Sequence, residues 1–307
     1  MSLRVAPYNA PGVLPSMEYR AEEFVRSPLN YTGGKYKLLS QILPLFPRRI
    51  NTFVDLFCGG CNVGINVRAG RHVFNDNITY LIDLYNAFRE TDADVVISHI
   101  EGRVAEFGLS LTNKEGYMAM RQLYNTRRNA LDLFVLVAYS FNHQIRFNSR
   151  HGFNNPFGRE RSSFNATMRR NLLLFLDRIK SLDCRFVSHN FDRLDLSALG
   201  GDDMVYCDPP YLITTGTYND GKRGFTGWSE AEERALLSLL SALDRRGVSF
   251  ALSNVLCHKG KENTLLLRWV EDNDFRVTHL KKNYANSNYH TTDRRKTASD
   301  EVLITNY

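Results

Sequence analysis

The sequence predicts an α/β protein: a mostly parallel sheet of about seven strands with flanking helices, broken by an inserted, mainly helical segment that contains a hairpin. Three observations predict it. Runs rich in Val, Ile and Phe alternate with stretches of helical periodicity, the pattern of a sheet whose strands are joined by helices. The second strand-like run ends near residue 76 and the third begins near residue 185, too long a gap for one crossover helix. The chain has 307 residues, 43% hydrophobic and 23% charged, which suits one large domain or one domain interrupted by a smaller one.

Strands are expected at 52–57, 72–75, 185–189, 204–207, 248–253, 276–280 and 301–305, each short, apolar and bounded by turn formers. Helices are expected at 35–46, 78–90, 93–107, 114–124, 130–140, 168–181, 229–246 and 262–273. Ser229 followed three residues on by Glu232 is a capping-box signature, which fixes the start of the seventh helix. Within the gap, residues 146–159 (RFNSRHGFNNPFGR) place aromatic and amide side chains around Gly152, the pattern of a hairpin presenting arginines.

Composition narrows the classes of function. No apolar run approaches the ~20 residues that span a bilayer, and the first residues, broken by prolines, lack the apolar stretch of a secretory signal. A cytoplasmic protein with no membrane partner is expected. Five cysteines, at 58, 61, 184, 207 and 257, are an odd number scattered through apolar stretches, which fits reduced thiols. Cys58 and Cys61 have CxxC spacing, but no second pair stands at ligand spacing, so no metal is expected. The net charge of +6 is unevenly spread: residues 121–170 hold nine arginines, no lysine and only Asp132 and Glu160 as acids. Guanidinium forks interleaved with Asn142, Phe147, Asn148 and Asn154 suit phosphates and base edges. The bland alternative is a solvated basic face.

Asp208-Pro209-Pro210-Tyr211 follows the predicted strand 204–207 directly. Ligands bind at the carboxyl ends of strands in open α/β sheets, so a carboxylate stiffened there by two prolines, with a phenol beside it, suits an amine on a planar ring. Residues 53–64 (FVDLFCGGCNVG) run a strand into a glycine-rich turn that lets backbone approach a nucleotide-like ligand, although they spell neither a P-loop nor GxGxxG. Asp76 closes the next strand, where an acid commonly accepts from ribose hydroxyls. Together these point to an adenosine-containing cofactor. Asn30-Tyr31-Thr32-Gly33-Gly34-Lys35 offers backbone amides and a lysine at the entry of the first helix.

In order and spacing, Tyr31 to Lys35, Phe53 to Gly60, Asn75-Asp76-Asn77, Asn190-Phe191 and Asp208 to Tyr211 resemble the Dam-type (alpha-group, D12 class) adenine-N6 DNA methyltransferases. Residues 141–148, 153–158, Leu252-Ser253-Asn254 and 300–307 look alike too, and the likeness covers about residues 27 to 307. Asp55-Leu56-Phe57 stands where the family usually has Glu-Pro-Phe, and Tyr31 where it often has Trp, so a carboxylate and an aromatic ring are kept.

The resemblance implies a Rossmann-like methyltransferase sheet, with 27–90 and 166–307 as the catalytic domain, 91–165 as an inserted target-recognition domain and 1–26 as an N-terminal extension. It implies S-adenosyl-L-methionine as cofactor, held by Tyr31, Lys35, Asp55, Phe57, Gly59, Asp76, Asn190, Phe191 and Asp208, with Asp76 on the ribose, Phe191 on the adenine, and Lys35 and Tyr31 near the methionine end. It implies catalysis by Asp208, Pro209, Pro210 and Tyr211 on an adenine flipped from double-stranded DNA, without a metal. Arg127, Asn142, Arg146, Asn148, Arg150, Asn154, Arg159 and Arg170 are the candidate DNA contacts, with the basic stretch 281–296 as the alternative reader. A restriction-modification or phage setting is implied, in which a cognate endonuclease shares the system without a stable complex. RNA adenine or cytosine N4 as the acceptor, or a silent DNA-binding module of the same fold, are the competing readings.

Overall fold

The computed structural model describes residues 24–214, 228–281 and 299–307. Residues 1–23, and most of the basic stretch 281–296, lie outside the described residues. Strands β1 (Thr52–Asp55), β2 (Arg71–Asn75), β3 (Cys184–Val187), β4 (Met204–Cys207), β5 (Ser249–His258), β6 (Lys261–Glu262), β7 (Arg276–His279) and β8 (Asp300–Thr305) form one sheet in the order β3-β2-β1-β4-β5-β8-β7, with β6 pairing β5. The pairs among β1 to β5 are parallel, whereas β8 runs antiparallel between β5 and β7. Strand order reverses at β1 and β4, so the crevice between their carboxyl ends is the switch point where such sheets bind ligands.

Alternation along the central strands divides the core. Phe53, Met204 and Tyr206 pack on one face with α1 (Leu39–Ile42). Val54 and Val205 pack on the other with α7 (Glu230–Arg245) and α8 (Thr264–Asn273). A third cluster joins Phe74 and Phe186 to α2 (Thr79–Glu90), α3 (Ala93–Glu106), α4 (Lys114–Arg127), α5 (Ala130–Tyr139) and α6 (Ala166–Ser181). Helix α5 is buried from Asp132 to Tyr139, and Asp132 is held there by His99 Nε2 at 2.7 Å and Arg103 Nε at 2.9 Å. The long segment between β2 and β3 thus shares one continuous core with this edge of the sheet.

Side-chain caps explain most helix starts. Asn113, Asn129, Asn165 and Asn263 each accept an amide of the first turn, and Ser229 with Glu232 forms the expected capping box. The continuous helix expected over 35–46 is instead broken into a 3₁₀ turn, the four-residue α1 and a second 3₁₀ turn, Leu43–Leu45. Pro44 is the physical reason, because it has no amide to donate back along the helix. β5 runs five residues past its expected end and folds back through Lys259 and Gly260, both at positive φ, to make β6. In the 146–159 segment, Phe147 bridges Phe153, and the amides of Asn148 and Asn154 donate to Gly152 and Arg146. Phe147 stacks on Tyr80 of α2 at 4.6 Å, which fixes this hairpin on the helical layer.

Candidate active site

A cavity of about 620 Å³ opens at the β1/β4 switch point, a volume ordinary for a small-molecule site. Asp55, Phe57, Gly59, Asp76, Asn190, Phe191 and Asp208 all line it, as do Tyr31, Lys35, Pro209, Pro210 and Tyr211. Each expected cofactor or catalytic residue therefore stands at one place, although they come from segments up to 180 residues apart in the chain.

The β1 turn is built around Tyr31 and Asp76. A Cβ on Gly59 would lie 2.8 Å from the Tyr31 ring, and φ there is +44°, so only glycine fits under the phenol. Gly59 N donates to Asp76 Oδ2 at 3.0 Å, Ile78 N donates to Asp76 Oδ1 at 2.9 Å, and Tyr85 Oη donates to Gly59 O at 2.7 Å. Asn75 ties three strand ends together: its Nδ2 donates to Leu56 O and His189 O, and its Oδ1 accepts from His189 N. Burial pushes the Asp76 carboxyl above the ordinary carboxylate range, opposed by the amides it accepts.

Asp208 leaves the end of β4 with both oxygens engaged. Lys35 Nζ donates to Oδ2 at 2.7 Å, and Tyr211 Oη donates to Oδ1 at 2.9 Å. Lys35, only 3% exposed, also donates to Gly33 O at 2.8 Å, lies 3.5 Å from Glu301 Oε1 and sits 5.2 Å from the Tyr211 ring centre. Burial raises the Asp208 carboxyl, and Lys35 pulls it back down. Asp55 is raised well above the ordinary range by burial and then by the charge of Asp208, and its Oδ1 is buried without a hydrogen-bond partner. Asp208 and Glu301 thus flank Lys35, and Asp55 lies within the fields of Asp208 and Asp76. An acidic wall of this kind suits a ligand that carries positive charge.

Two contacts in the cavity were not part of the sequence reading. Lys35, expected near the methionine end of a cofactor, is bound to the Asp208 carboxylate, a contact across 173 positions that no local spacing announces. Tyr211, expected beside Asp208, is buried with its hydroxyl donating to Asp208. Glu301 and Trp228 were not singled out, yet both belong here. Glu301 faces Lys35, and Trp228 lines the cavity against Phe57 and Phe191. The only signal for Trp228 was its place just before the Ser229 cap.

The arginine-rich segment flanks the same opening, where Arg146, Gln144 and Asn155 also line the cavity. Arg146 is half-buried, and its Nε has no hydrogen-bond partner. Arg127, Asn142, Arg150, Arg159 and Arg170 are exposed. Asn148 Oδ1 accepts the amides of Arg150 and Gly152 and so builds the hairpin turn, leaving only its amide nitrogen to reach outward. Asn154 is half-buried, with Oδ1 unpartnered.

Comparison with known proteins gives concordant matches. Residues 31–286 match the model of the D12 class N6 adenine-specific DNA methyltransferases. The chain is 49% identical over 290 residues to the Type II methyltransferase M.FokI of Planomicrobium okeanokoites, covering 94% of this chain and 44% of that protein. It is 49% identical over 286 residues to the modification methylase StsI of Streptococcus sanguinis, covering 93% and 43%. A DNA adenine methylase of Haemophilus influenzae is 26% identical over 244 residues, 74% of this chain and 78% of that one. The chain spans less than half the length of the first two relatives.

Proposed function

Because the chain belongs to the D12 class N6 adenine-specific DNA methyltransferase family, we propose that it transfers a methyl group from S-adenosyl-L-methionine to N6 of an adenine in a short double-stranded DNA site. The observation that carries this reading is the placing of Asp208 to Tyr211 in one cavity with the glycine-rich turn after β1 and the acid after β2. S-adenosyl-L-methionine supplies, when bound, a methyl group on a positively charged sulfur. The residues present fit it: the unpartnered Asp55 oxygen suits an ammonium, Asp76 suits ribose hydroxyls, and Phe57 and Phe191 offer apolar faces for a purine.

Adenine N6 is a poor nucleophile because its lone pair is delocalised into the ring. An Asp208 oxygen and the Pro209 carbonyl, each accepting one N6–H, draw the amine toward the pyramidal form whose lone pair can attack. A carboxylate has about four lone-pair sites, so Asp208 can accept the amine while Lys35 and Tyr211 remain bound. Lys35 keeps Asp208 ionised for that role. The burial that raises the proton affinity of Asp208 also makes it a fitting acceptor for the proton the methylated amine sheds. Positioning supplies most of the acceleration in such an in-line displacement.

N6 in a duplex lies within the stack, so the target base must turn out of the helix to reach Asp208. The segment 91–165 is the proposed recognition unit on the catalytic unit 27–90 and 166–307. Arg127, Arg159 and Arg170 are placed on phosphates, and Arg146, Arg150, Asn142, Asn148 and Asn154 near base edges. Acting on DNA places the protein in the cytoplasm, in a restriction-modification or phage setting with a cognate endonuclease as an indirect partner. Mapping N6-methyladenine in the DNA of cells expressing the chain tests the reading. One recurring methylated site, absent with Asp208→Ala, is expected, and unmodified adenine throughout would refute it.

A further inference from the structure

Trp228, Glu233 and the Leu252-Ser253-Asn254 stretch have no part in the chemistry above, yet they are joined. The Trp228 ring lies 5.6 Å, centre to centre, from both Phe57 and Phe191, and those two rings are 5.4 Å apart. Three rings from the ends of β1 and β3 and the start of α7 therefore form one apolar wall of the cavity. The single polar atom of the indole, Nε1, donates to Glu233 Oε2 at 2.7 Å. Glu233 Oε1 accepts Asn254 Nδ2 at 3.2 Å and Asn263 Nδ2 at 3.1 Å. All three of Glu233, Asn254 and Asn263 are buried.

A buried carboxylate facing three neutral donors is an expensive way to join α7, β5 and α8, because an apolar side chain would pack there without losing hydration. What the carboxylate alone provides is simultaneous acceptance of all three N–H groups, which fixes the indole in one rotation. A fixed indole matters only if its face meets something. We propose that Trp228 is a contact of the cofactor's adenine ring, and that Glu233 is the residue that positions it. The proposal rests on the functional reading above, since it names what one wall of that cavity touches. An aromatic face against a purine contributes both stacking and apolar burial, so losing the ring reads as roughly a tenfold weakening.

Trp228 and Trp269 are the chain's two tryptophans. Trp269 lies elsewhere, against Phe250 and Phe275 with Nε1 on Ser241. Trp269→Phe thus leaves Trp228 as the sole indole emitter, and titration with S-adenosylhomocysteine should quench it saturably. Trp228→Phe should show no quenching. Should Trp269→Phe fold poorly, wild type minus Trp228→Phe gives the same signal. By calorimetry, Trp228→Ala should bind S-adenosylhomocysteine about tenfold or more weakly, and Trp228→Phe within about threefold of wild type. Glu233→Gln should raise KM for the cofactor more than it lowers kcat, which loss of a merely structural hub would not do. Calorimetric binding with Trp228 emission unmoved overturns the proposal and leaves the functional reading standing, as does emission that answers to duplex DNA alone. Failure of the wild type to bind S-adenosylhomocysteine at all overturns the functional reading, and this assignment with it.

Discussion

Replacing Lys35 by Met removes the cation that, among the described residues, faces both Asp208 and Glu301, while nearly keeping the length of the side chain. The ammonium is 2.7 Å from Asp208 Oδ2 and only 3% exposed. At an effective dielectric of about 20, a unit pair at that distance is worth about 6 kcal/mol before desolvation is counted. Stranding one partner of a buried pair costs about 3–5 kcal/mol net, part of which Asp208 can avoid by taking up a proton. Two results follow. Thermal denaturation should show the Tm of Lys35→Met lowered by about 5–10 °C, and Lys35→Met/Asp208→Asn should regain part of the loss because the nearer of the two acids facing Lys35 is then neutral. The deficit should also depend on pH. Asp208 without Lys35 holds its proton more tightly in the folded than in the unfolded chain. Its contribution to stability is then present below the ordinary carboxylate range and lost as pH rises through the raised folded value. The deficit is therefore larger at about pH 8 than at about pH 5, and the acid limb of kcat/KM moves to higher pH. Unchanged Tm, or a double variant no more stable than Lys35→Met, would refute the claim that Lys35 acts as the counter-ion of Asp208.

Asp55→Asn should stabilise the fold at neutral pH by on the order of 1 kcal/mol, seen as a raised Tm, because it removes a buried, incompletely hydrogen-bonded carboxyl beside Asp208. Calorimetry with S-adenosylhomocysteine should show weaker binding by the same variant, and equal affinity would detach Asp55 from the cofactor. Gly59→Ala should abolish cofactor binding, since its Cβ would meet the Tyr31 ring at 2.8 Å on a backbone at φ +44°, and adding Tyr31→Ala should restore part of it. Neutralising exposed Arg127 or Arg170 should weaken binding to all duplexes alike and lower the salt slope by about one unit. Arg146→Ala should instead cost about 1–3 kcal/mol on the cognate site and relax the choice of one base, as measured on cognate and scrambled duplexes at several salt concentrations.

Much of the sheet was legible in the sequence because each strand is a short apolar run at a turn, and every strand except β6 overlaps its expected span. β6 was hidden because it is two exposed residues, Lys261 and Glu262, without periodicity. The break at Pro44 was visible in principle, but helical periodicity on both sides of it outweighed one residue. The residues of the cavity were legible as motifs, each at a strand end or glycine turn. Their mutual contacts were not: Lys35 meets Asp208 and Glu301 only because β4, β8 and the segment before α1 converge, which is a property of strand order rather than of local sequence. The turn-building role of Asn148 was hidden because an amide that caps a hairpin turn and one that reads a base look identical in sequence.

Methyl transfer to adenine N6 tests the account most directly. The chain is incubated with S-adenosylmethionine labelled in the methyl group and with a mixture of duplex DNA, and the DNA is digested to nucleosides and separated by chromatography. Label should co-elute with N6-methyldeoxyadenosine for the wild type and fall by about 10²-fold or more for Asp208→Ala. Label in methylcytosine, no label in the DNA, or an Asp208→Ala variant that turns over at the wild-type rate, would contradict it.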